Sequence, residues 1–393
     1  MKVTLVTSSI GRGGGGVSEA VRLQALALSE HADITVLSLQ GKVGEQDLAD
    51  WGDAKIRTFR SLAAFGRFGV SPGLLIALLR SDSDIVHVHG LWQFPPLAVY
   101  IWSLVTGKPY VVTPHGMLEP WIMARSRWLK TAVGQVYQNR FLRRANAFHI
   151  LTAKARSDVG AFLTDQIVEE IPNYVPDFTR QSERPGWWHK DLEERRIYLF
   201  FGRIHEKKGC MELADAWSWL CRKDPLFKQR SALVFCGWND GLTGFEEHVA
   251  VLDREFGNIV FAGPQFGVDK ARSLSASHFF VLPSKSEGLP MAILEAWSAG
   301  IPVIMTPECN LPVGFERNIA IRTGSSREAI AESLINASAI NEDARLAMGR
   351  HASQFVASDY SRQRVSKSLL SLYRRCLGQL EHLIQGDMKR SDV

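Results

Sequence analysis

Only five cysteines occur among the 393 residues, Cys210, Cys221, Cys236, Cys309 and Cys376, and no two stand as a C-x-x-C pair. An odd, scattered set of this kind predicts a reduced, cytosolic chain. Long apolar runs are missing as well. The opening MKVTLVTSS is too short for a signal-peptide core, and LAVYIWSLV at 97–105 is too short to span a bilayer. The expectation is therefore a soluble or peripherally attached protein, at most peripheral at the inner face of the plasma membrane. Low-complexity blocks and short repeats are absent. Net charge is small, +5 from 46 basic and 41 acidic side chains, yet with 46% hydrophobic and 22% charged residues the chain is no disordered one.

The charge is unevenly placed. Residues 1–172 hold 18 basic and 14 acidic side chains, or +4; the remainder, 46 − 18 = 28 and 41 − 14 = 27, gives +1. A basic surplus points toward a polyanion or an anionic membrane, against the plainer reading of a solvated face. Nucleic acid is not an expected partner, because the charge is dispersed and no recognition module is present.

Short β-branched runs alternate with helical stretches: VTLVTSS at 3–9, DITVLSL at 33–39, KIRTF at 55–59, DIVHVHG at 84–90, PYVVTPHG at 109–116 and AFHILTA at 147–153. That rhythm predicts a parallel sheet with crossover helices. A turn-rich interval with Pro172, Pro176, Pro185 and Gly186 separates it from a second series at 196–203, 232–238, 258–264, 278–284 and 301–307. The length suits two domains of roughly 150 to 200 residues. The fold class is α/β, with two Rossmann-like doubly wound domains: 1–172, and 173–360 facing it across a cleft. A C-terminal helix from about residue 360 packs back on the first. In such sheets ligands bind beyond the carboxyl ends of the strands.

Three segments lie at such ends. The first strand runs into SSIGRGGGGVSEA, where Gly11, Gly13 and Gly16 match a dinucleotide fingerprint and backbone amides can approach an anion. The second strand ends in Ser38, Leu39, Gln40 and Gly41, without the carboxylate that a nicotinamide dinucleotide's ribose needs. In FFGRIHEKKG, Arg203 and Lys208 stand five residues apart after a strand, two cations suited to a diphosphate. In PSKSEGLPMAILEAWSAG, Glu287 sits in a loop before a helix that begins near Pro290, and Glu295 lies on its second turn. The helix start at Gly288 and Leu289 forms an anion site, and the two carboxylates can accept from hydroxyls on either side of a phosphate.

Arg203 with Lys208, the spacing Glu287-x7-Glu295, the glycine loop and the pair His115-Gly116 together resemble family 4 of the retaining GT-B glycosyltransferases (glycosyl transferases group 1). TPHGMLEPW at 113–121 further resembles bacterial enzymes that build surface polysaccharides. The resemblance implies transfer of a hexosyl group, with retention, from a nucleotide-diphosphate sugar to a hydroxyl of a glycan or lipid-linked acceptor. By it, Arg203 and Lys208 bind the donor diphosphate, Glu287 contacts the transferred sugar and Glu295 holds the ribose hydroxyls. His115 lies beside the reacting sugar, and Gly15 or Gly16 approaches the diphosphate. The family's usual Pro-Asn-Gly-Val appears as Pro172, Asn173, Tyr174, Val175. No metal and no further cofactor is expected. The alternatives are an NAD-dependent oxidoreductase and a nucleotide-sugar epimerase on a related scaffold.

Two other patterns invite chemistry. Asp82-Ser83-Asp84 is a literal D-x-D, but it precedes its strand; His87, His89 and His115 form a candidate metal cluster that no nearby carboxylate completes. At least one of these histidines is expected to be packed and hydrogen-bonded. Residues 119–144 carry Arg125, Arg127, Lys130, Arg140, Arg143 and Arg144 against one acid, interleaved with Trp121, Trp128, Tyr137 and Phe141. That segment fits the headgroup layer of an anionic membrane, a solvated basic helix or a patch for an acceptor phosphate.

Overall fold

The computed structural model describes residues 1–11, 15–41, 51–52, 54–124 and 127–391. Its contacts divide the chain into two units, Met1–Tyr174 with Arg362–Val393, and Val175–Ser361. The first holds a seven-stranded sheet: β1 Lys2–Thr7, β2 Asp33–Leu39, β3 Lys55–Phe59, β4 Ile85–His89, β5 Tyr110–Thr113, β6 Ala147–Ile150 and β7 Ile167–Glu170. Their order is β3-β2-β1-β4-β5-β6-β7, and the paired neighbours are parallel. The second holds six: β8 Arg196–Phe201, β9 Ser231–Cys236, β10 Ile259–Gly263, β11 Phe279–Leu282, β12 Val303–Met305 and β13 Ala320–Arg322. Here the order is β10-β9-β8-β11-β12-β13, again parallel. Both are doubly wound α/β folds.

The reason lies in the strands themselves. Central strands such as β4, β5 and β9 are buried at every residue, as continuous apolar, β-branched runs require when helices cover both faces. Two strands, β7 and β13, were absent from the sequence reading. Each closes a sheet edge and stays half open to solvent, so IVEE and AIR carry no long apolar run. Tyr174, at the glycine position of the usual junction motif, is buried, and the adjoining Val175 amide donates to the Tyr360 carbonyl at 3.0 Å.

The helix Arg362–Ser391 belongs to the first unit and packs on the helix Gly15–Leu28. Its Arg362 donates to the Leu26 carbonyl, and its Tyr373 is fully buried. All five cysteines are buried and free, and burial pushes the thiols of Cys210, Cys236, Cys309 and Cys376 up to about 12. Among the described residues no helix is long and apolar enough to cross a membrane.

Candidate functional site

In each sheet the chain order reverses between two neighbours, β1 and β4 in one unit, β8 and β11 in the other. At such a switch point the loops leave their strands toward opposite faces and open a crevice at the carboxyl ends. The informative motifs stand at these two places.

In the Val175–Ser361 unit, the loop after β8 tightens into a 3-10 turn, Glu206–Lys208, and reverses at Gly209, whose φ is 70°. A Cβ there would fall 2.4 Å from the Pro283 carbonyl oxygen, so only glycine lets this loop press against the end of β11. The Lys285 amide then donates to the Lys207 carbonyl at 2.8 Å, tying the two loops together. Their side chains meet as a result. Lys208 Nζ donates to Glu287 Oε1 at 2.6 Å, and Ser284 Oγ donates to the same oxygen at 2.5 Å. Both charged side chains are mostly buried, 17% and 11% exposed. The Asn310 side-chain amide donates to the Glu287 carbonyl, and the Glu287 amide to that of Glu308, so the backbone of this loop is anchored too.

The other two expected donor-binding side chains have separate partners. Arg203 Nη1 donates to Asp240 Oδ2 at 2.7 Å on a half-exposed surface. Glu295, on the helix Met291–Ser298, pairs with Lys270, whose Nζ also lies 5.5 Å from the Phe201 ring centre. Ser284, Asp240, Lys270 and Asn310 join the side chains expected from the sequence. Ser284 had a local signal, since it leaves β11 three residues before Glu287. Lys270 had none, because its helix, Gly267–Ser275, meets Glu295 only in the folded unit. The helix Met291–Ser298 starts after Pro290 with no side-chain cap, and a Cβ at Gly288 would meet nothing within 4 Å. Gly288 and Leu289 thus lead into a helix start that is open to an anion.

In the other unit, Gly15 (φ 59°) and Gly16 begin the helix after β1, and a Cβ on either would meet nothing within 4 Å. Gly13 and Gly14 lie outside the described residues. Beside this helix, three histidines, His87, His89 and His149, are buried together, and a fourth, His115, lies against them partly open to solvent. Gln24 Nε2 donates to His87 Nδ1 at 2.7 Å and to the Tyr373 hydroxyl at 2.7 Å. Tyr373 in turn lies 2.8 Å from His87 Nδ1. An amide nitrogen can only donate, so His87 carries its proton on Nε2, which donates to Thr113 Oγ1 at 2.7 Å. From the far end, the Ile171 carbonyl can only accept, so His149 donates from Nε2 at 2.7 Å and its Nδ1 accepts from Thr113 Oγ1 at 2.9 Å. The two deductions agree on the Thr113 hydroxyl.

His89 stacks on His87 with ring centres 4.4 Å apart, and its Nδ1 lies 3.0 Å from His115 Nε2. Burial holds all four rings neutral: His115 is pushed down to about 3, His149 to about 4, and His87 and His89 well below the ordinary imidazole range. His87 is the packed, fully bonded histidine expected of this group. Among the described residues no cluster of three or more His, Cys, Asp or Glu could hold a metal ion. Asp82 pairs with Lys2 and Asp84 accepts from the Lys2 amide at 2.7 Å, which makes the D-x-D an anchor for β1.

Residues 120–124 and 127–144 form short helices around a π-helical turn, Gly134–Gln138. The aromatic interleaving is corrected here. Tyr137 and Phe141 are core residues, Phe141 stacking on Tyr110 at 5.2 Å, whereas Trp128 is 78% exposed. Neither Arg125 nor the Trp121 side chain is among the described parts.

Comparison with known proteins gives two consecutive family matches, the glycosyl transferase 4-like domain over residues 15–173 and glycosyl transferases group 1 over residues 195–339. The D-inositol 3-phosphate glycosyltransferase of Corynebacterium jeikeium (strain K411) is 26% identical over 210 residues, 52% of this chain and about half, 49%, of that relative. The GDP-mannose:cellobiosyl-diphosphopolyprenol alpha-mannosyltransferase of Xanthomonas oryzae pv. oryzae (strain PXO99A) is 24% identical over 325 residues, 79% of each chain. Among solved structures, Anabaena HepE in complex with UDP and glucose superposes with a TM-score of 0.72 at 15% identity, covering 94% of this chain and 98% of that one.

Proposed function

The chain belongs to the group 1 glycosyltransferases and has their GT-B architecture, and from that premise we propose that it moves a hexosyl group, with retention, from a nucleotide-diphosphate sugar to a hydroxyl of a glycan or lipid-linked acceptor in bacterial surface-polysaccharide synthesis. One observation carries the reading: Lys208, Glu287 and Ser284 are locked together at the β8/β11 switch point, where a doubly wound sheet receives its ligand. The Xanthomonas relative's name supplies the supporting chemistry, a GDP-sugar donor and a diphosphopolyprenol acceptor.

In this reading the C1–O bond to the diphosphate breaks, the acceptor oxygen bonds to C1, and the acceptor proton passes to a leaving phosphate oxygen. Negative charge grows on the diphosphate as the bond lengthens. Lys208 and Arg203 stabilise it from fixed positions, together with the amides at Gly288, Leu289 and the following helix start. Because Glu287 accepts both its bonds at Oε1, its Oε2 remains available to a sugar hydroxyl. Glu295 plays the same part for the ribose, and His115 lies beside the reacting sugar. These two cations supply the charge that a divalent metal supplies elsewhere, so transfer is expected to continue in EDTA.

UDP, GDP and ADP, each added in turn, test the proposal by thermal unfolding. A ligand at 100 times its Kd stabilises by about 2.7 kcal/mol, which is several degrees. The expected outcome is a shift with one of them, its loss in Lys208→Ala, and release of that free diphosphate when the matching sugar donor and an acceptor are present. Absence of both shift and release with all three bases overturns the proposal. The exposed Trp128 beside Arg127 supports peripheral docking on anionic membrane. Retention by anionic vesicles at low salt, reduced in Trp128→Ala, is the matching expectation, and failure to be retained counts against docking.

A further inference from the structure

We infer that His89 is a positioning residue that fixes the tautomer of His115, so that His115 presents an N–H from Nδ1 and not a basic lone pair. Its use in transfer rests on the reading above, in which His115 lies beside the reacting sugar; the tautomer itself does not.

The argument is a count of protons. His89 Nδ1 and His115 Nε2 are 3.0 Å apart and share one hydrogen bond, and both rings are neutral. If His115 were the donor from Nε2, the proton of His89 would sit on its Nε2. That nitrogen is buried and has no hydrogen-bond partner. A buried N–H without an acceptor is the rarest of unpaired polar groups in folded proteins. If His89 donates instead, its Nε2 is a bare lone pair, and the proton of His115 must lie on Nδ1.

The neighbours offer His89 no escape from this choice. Both nitrogens of the stacked His87 are engaged, Nδ1 by Gln24 and Tyr373 and Nε2 by Thr113. The Thr113 hydroxyl accepts from His87 and donates to His149, whose other nitrogen is held by the Ile171 carbonyl. The backbone supports the arrangement. His115 has φ 52° and Gly116 φ 74°, a turn that lays the His115 ring 5.3 Å from that of His89 with Nδ1 on the other edge. His115 Nδ1 has no hydrogen bond among the described residues, and the residue is partly open to solvent. A ring so fixed can donate to an oxygen of the substrate and cannot take a proton from the acceptor at Nδ1, which agrees with the acceptor proton leaving on the phosphate.

Long-range ¹H–¹⁵N correlation on the unliganded protein, ring-labelled at histidine, reads the tautomer without any substrate. The expected spectrum has His89 and His115 both protonated at Nδ1 and bare at Nε2; a His115 protonated at Nε2 overturns the inference, whatever the enzyme transfers. Single-histidine variants assign the signals. His89→Asn, which keeps a donor near the place of Nδ1, is expected to retain the His115 tautomer and turnover within about threefold, whereas His89→Phe mixes the tautomers and lowers kcat by about 10- to 100-fold, as loss of an orienting partner does elsewhere. Equal losses in the two variants with an unchanged His115 spectrum count against it. If neither variant folds, the wild-type spectrum still decides.

Discussion

The two units place polar groups at the same topological position by opposite electrostatic means. In Met1–Tyr174 with Arg362–Val393, four neutral histidines, three of them buried and His115 partly exposed, lie at or near the carboxyl ends of β4, β5 and β6, hydrogen-bonded to Gln24, Thr113, Tyr373, a carbonyl and one another. In Val175–Ser361, the loops and helix starts that follow the strands hold ion pairs, Lys208 with Glu287, Lys270 with Glu295 and Arg203 with Asp240, each partly open to solvent. A neutral network of this kind gains rigidity from its bonds and tolerates no charge, with His89 Nε2 as its one bare buried nitrogen among the described histidine ring nitrogens. An ion pair at a crevice keeps its cation charged and available, and the carboxylate can exchange that partner for a ligand hydroxyl. The comparison teaches that one unit holds a neutral, hydrogen-bonded geometry and the other holds partly exposed charge, which on the proposed reading meets the donor's diphosphate.

Acid breaks the comparison most strongly. A group whose folded pKa lies below its unfolded value binds its proton only after unfolding, so stability is present above the unfolded pKa and falls as pH drops below it. His87, His89, His115 and His149 all shift this way in the first unit, against His278, down to about 4, in the second. As pH falls below the ordinary imidazole range, each such group lowers stability, the two units differing in that four act in the first and one in the second. Hydrogen exchange is expected to show the first unit losing protection at a higher pH than the second. Simultaneous loss would mean that the histidine network does not set the acid limit.

Removing a cation from the second unit comes next. Lys208→Ala is expected to lower turnover by about 10²- to 10³-fold, equivalent to about 2.7–4 kcal/mol, and to lower the melting temperature as well, because the mostly buried Glu287 loses its cation. Glu287→Gln should also lose turnover while folding normally. Full rates in either variant, measured by release of nucleoside diphosphate, would show that this pair is structural.

Tyr373→Phe sharpens the contrast from the other side. It deletes a hydroxyl that contacts both Gln24 and His87, at a cost of about 1–2 kcal/mol in chemical denaturation, without direct effect on the ion pairs. An unchanged midpoint would mean that the C-terminal helix contributes packing alone. The smallest effect is expected from Gly288→Ala, which has open space before it and should change stability by no more than about 0.5 kcal/mol. A weaker diphosphate-induced melting shift in that variant would mark the open space as ligand space, whereas an unchanged shift would assign it to solvent.

Much of this was legible in the chain. The run at 33–39 became β2 residue for residue, because a buried parallel strand needs uninterrupted apolar, β-branched sequence, and 55–59 became the exposed edge strand β3, marked by the alternation of Ile56, Thr58 and Phe59 with charged residues. Glu287 and Glu295 were found by their spacing around a helix start, and Arg203 and Lys208 by their place after a strand. The edge strands β7 and β13 carry little signal, since at four and three residues, half solvated and ending in charged side chains, they are too short to set a pattern. His87 and His89 stood out by their same-face spacing, but a metal was the chemistry that the pattern first suggested. The actual partners of His87 include Gln24 and Tyr373, 349 residues apart, and that of His89 is His115.

What the sequence determined by itself is therefore local: strand and helix periods, the glycines and prolines that punctuate them, and the side chains that follow each strand, because those signals act over a few residues. The tertiary structure alone decided which ends became neighbours and hence which charge met which. Lys208 found Glu287 only when β8 lay beside β11, and His115 gained a fixed proton only when β4 brought His89 against it, since hydrogen bonds and ion pairs act over about 3 Å and no pattern along the chain encodes contacts made across it.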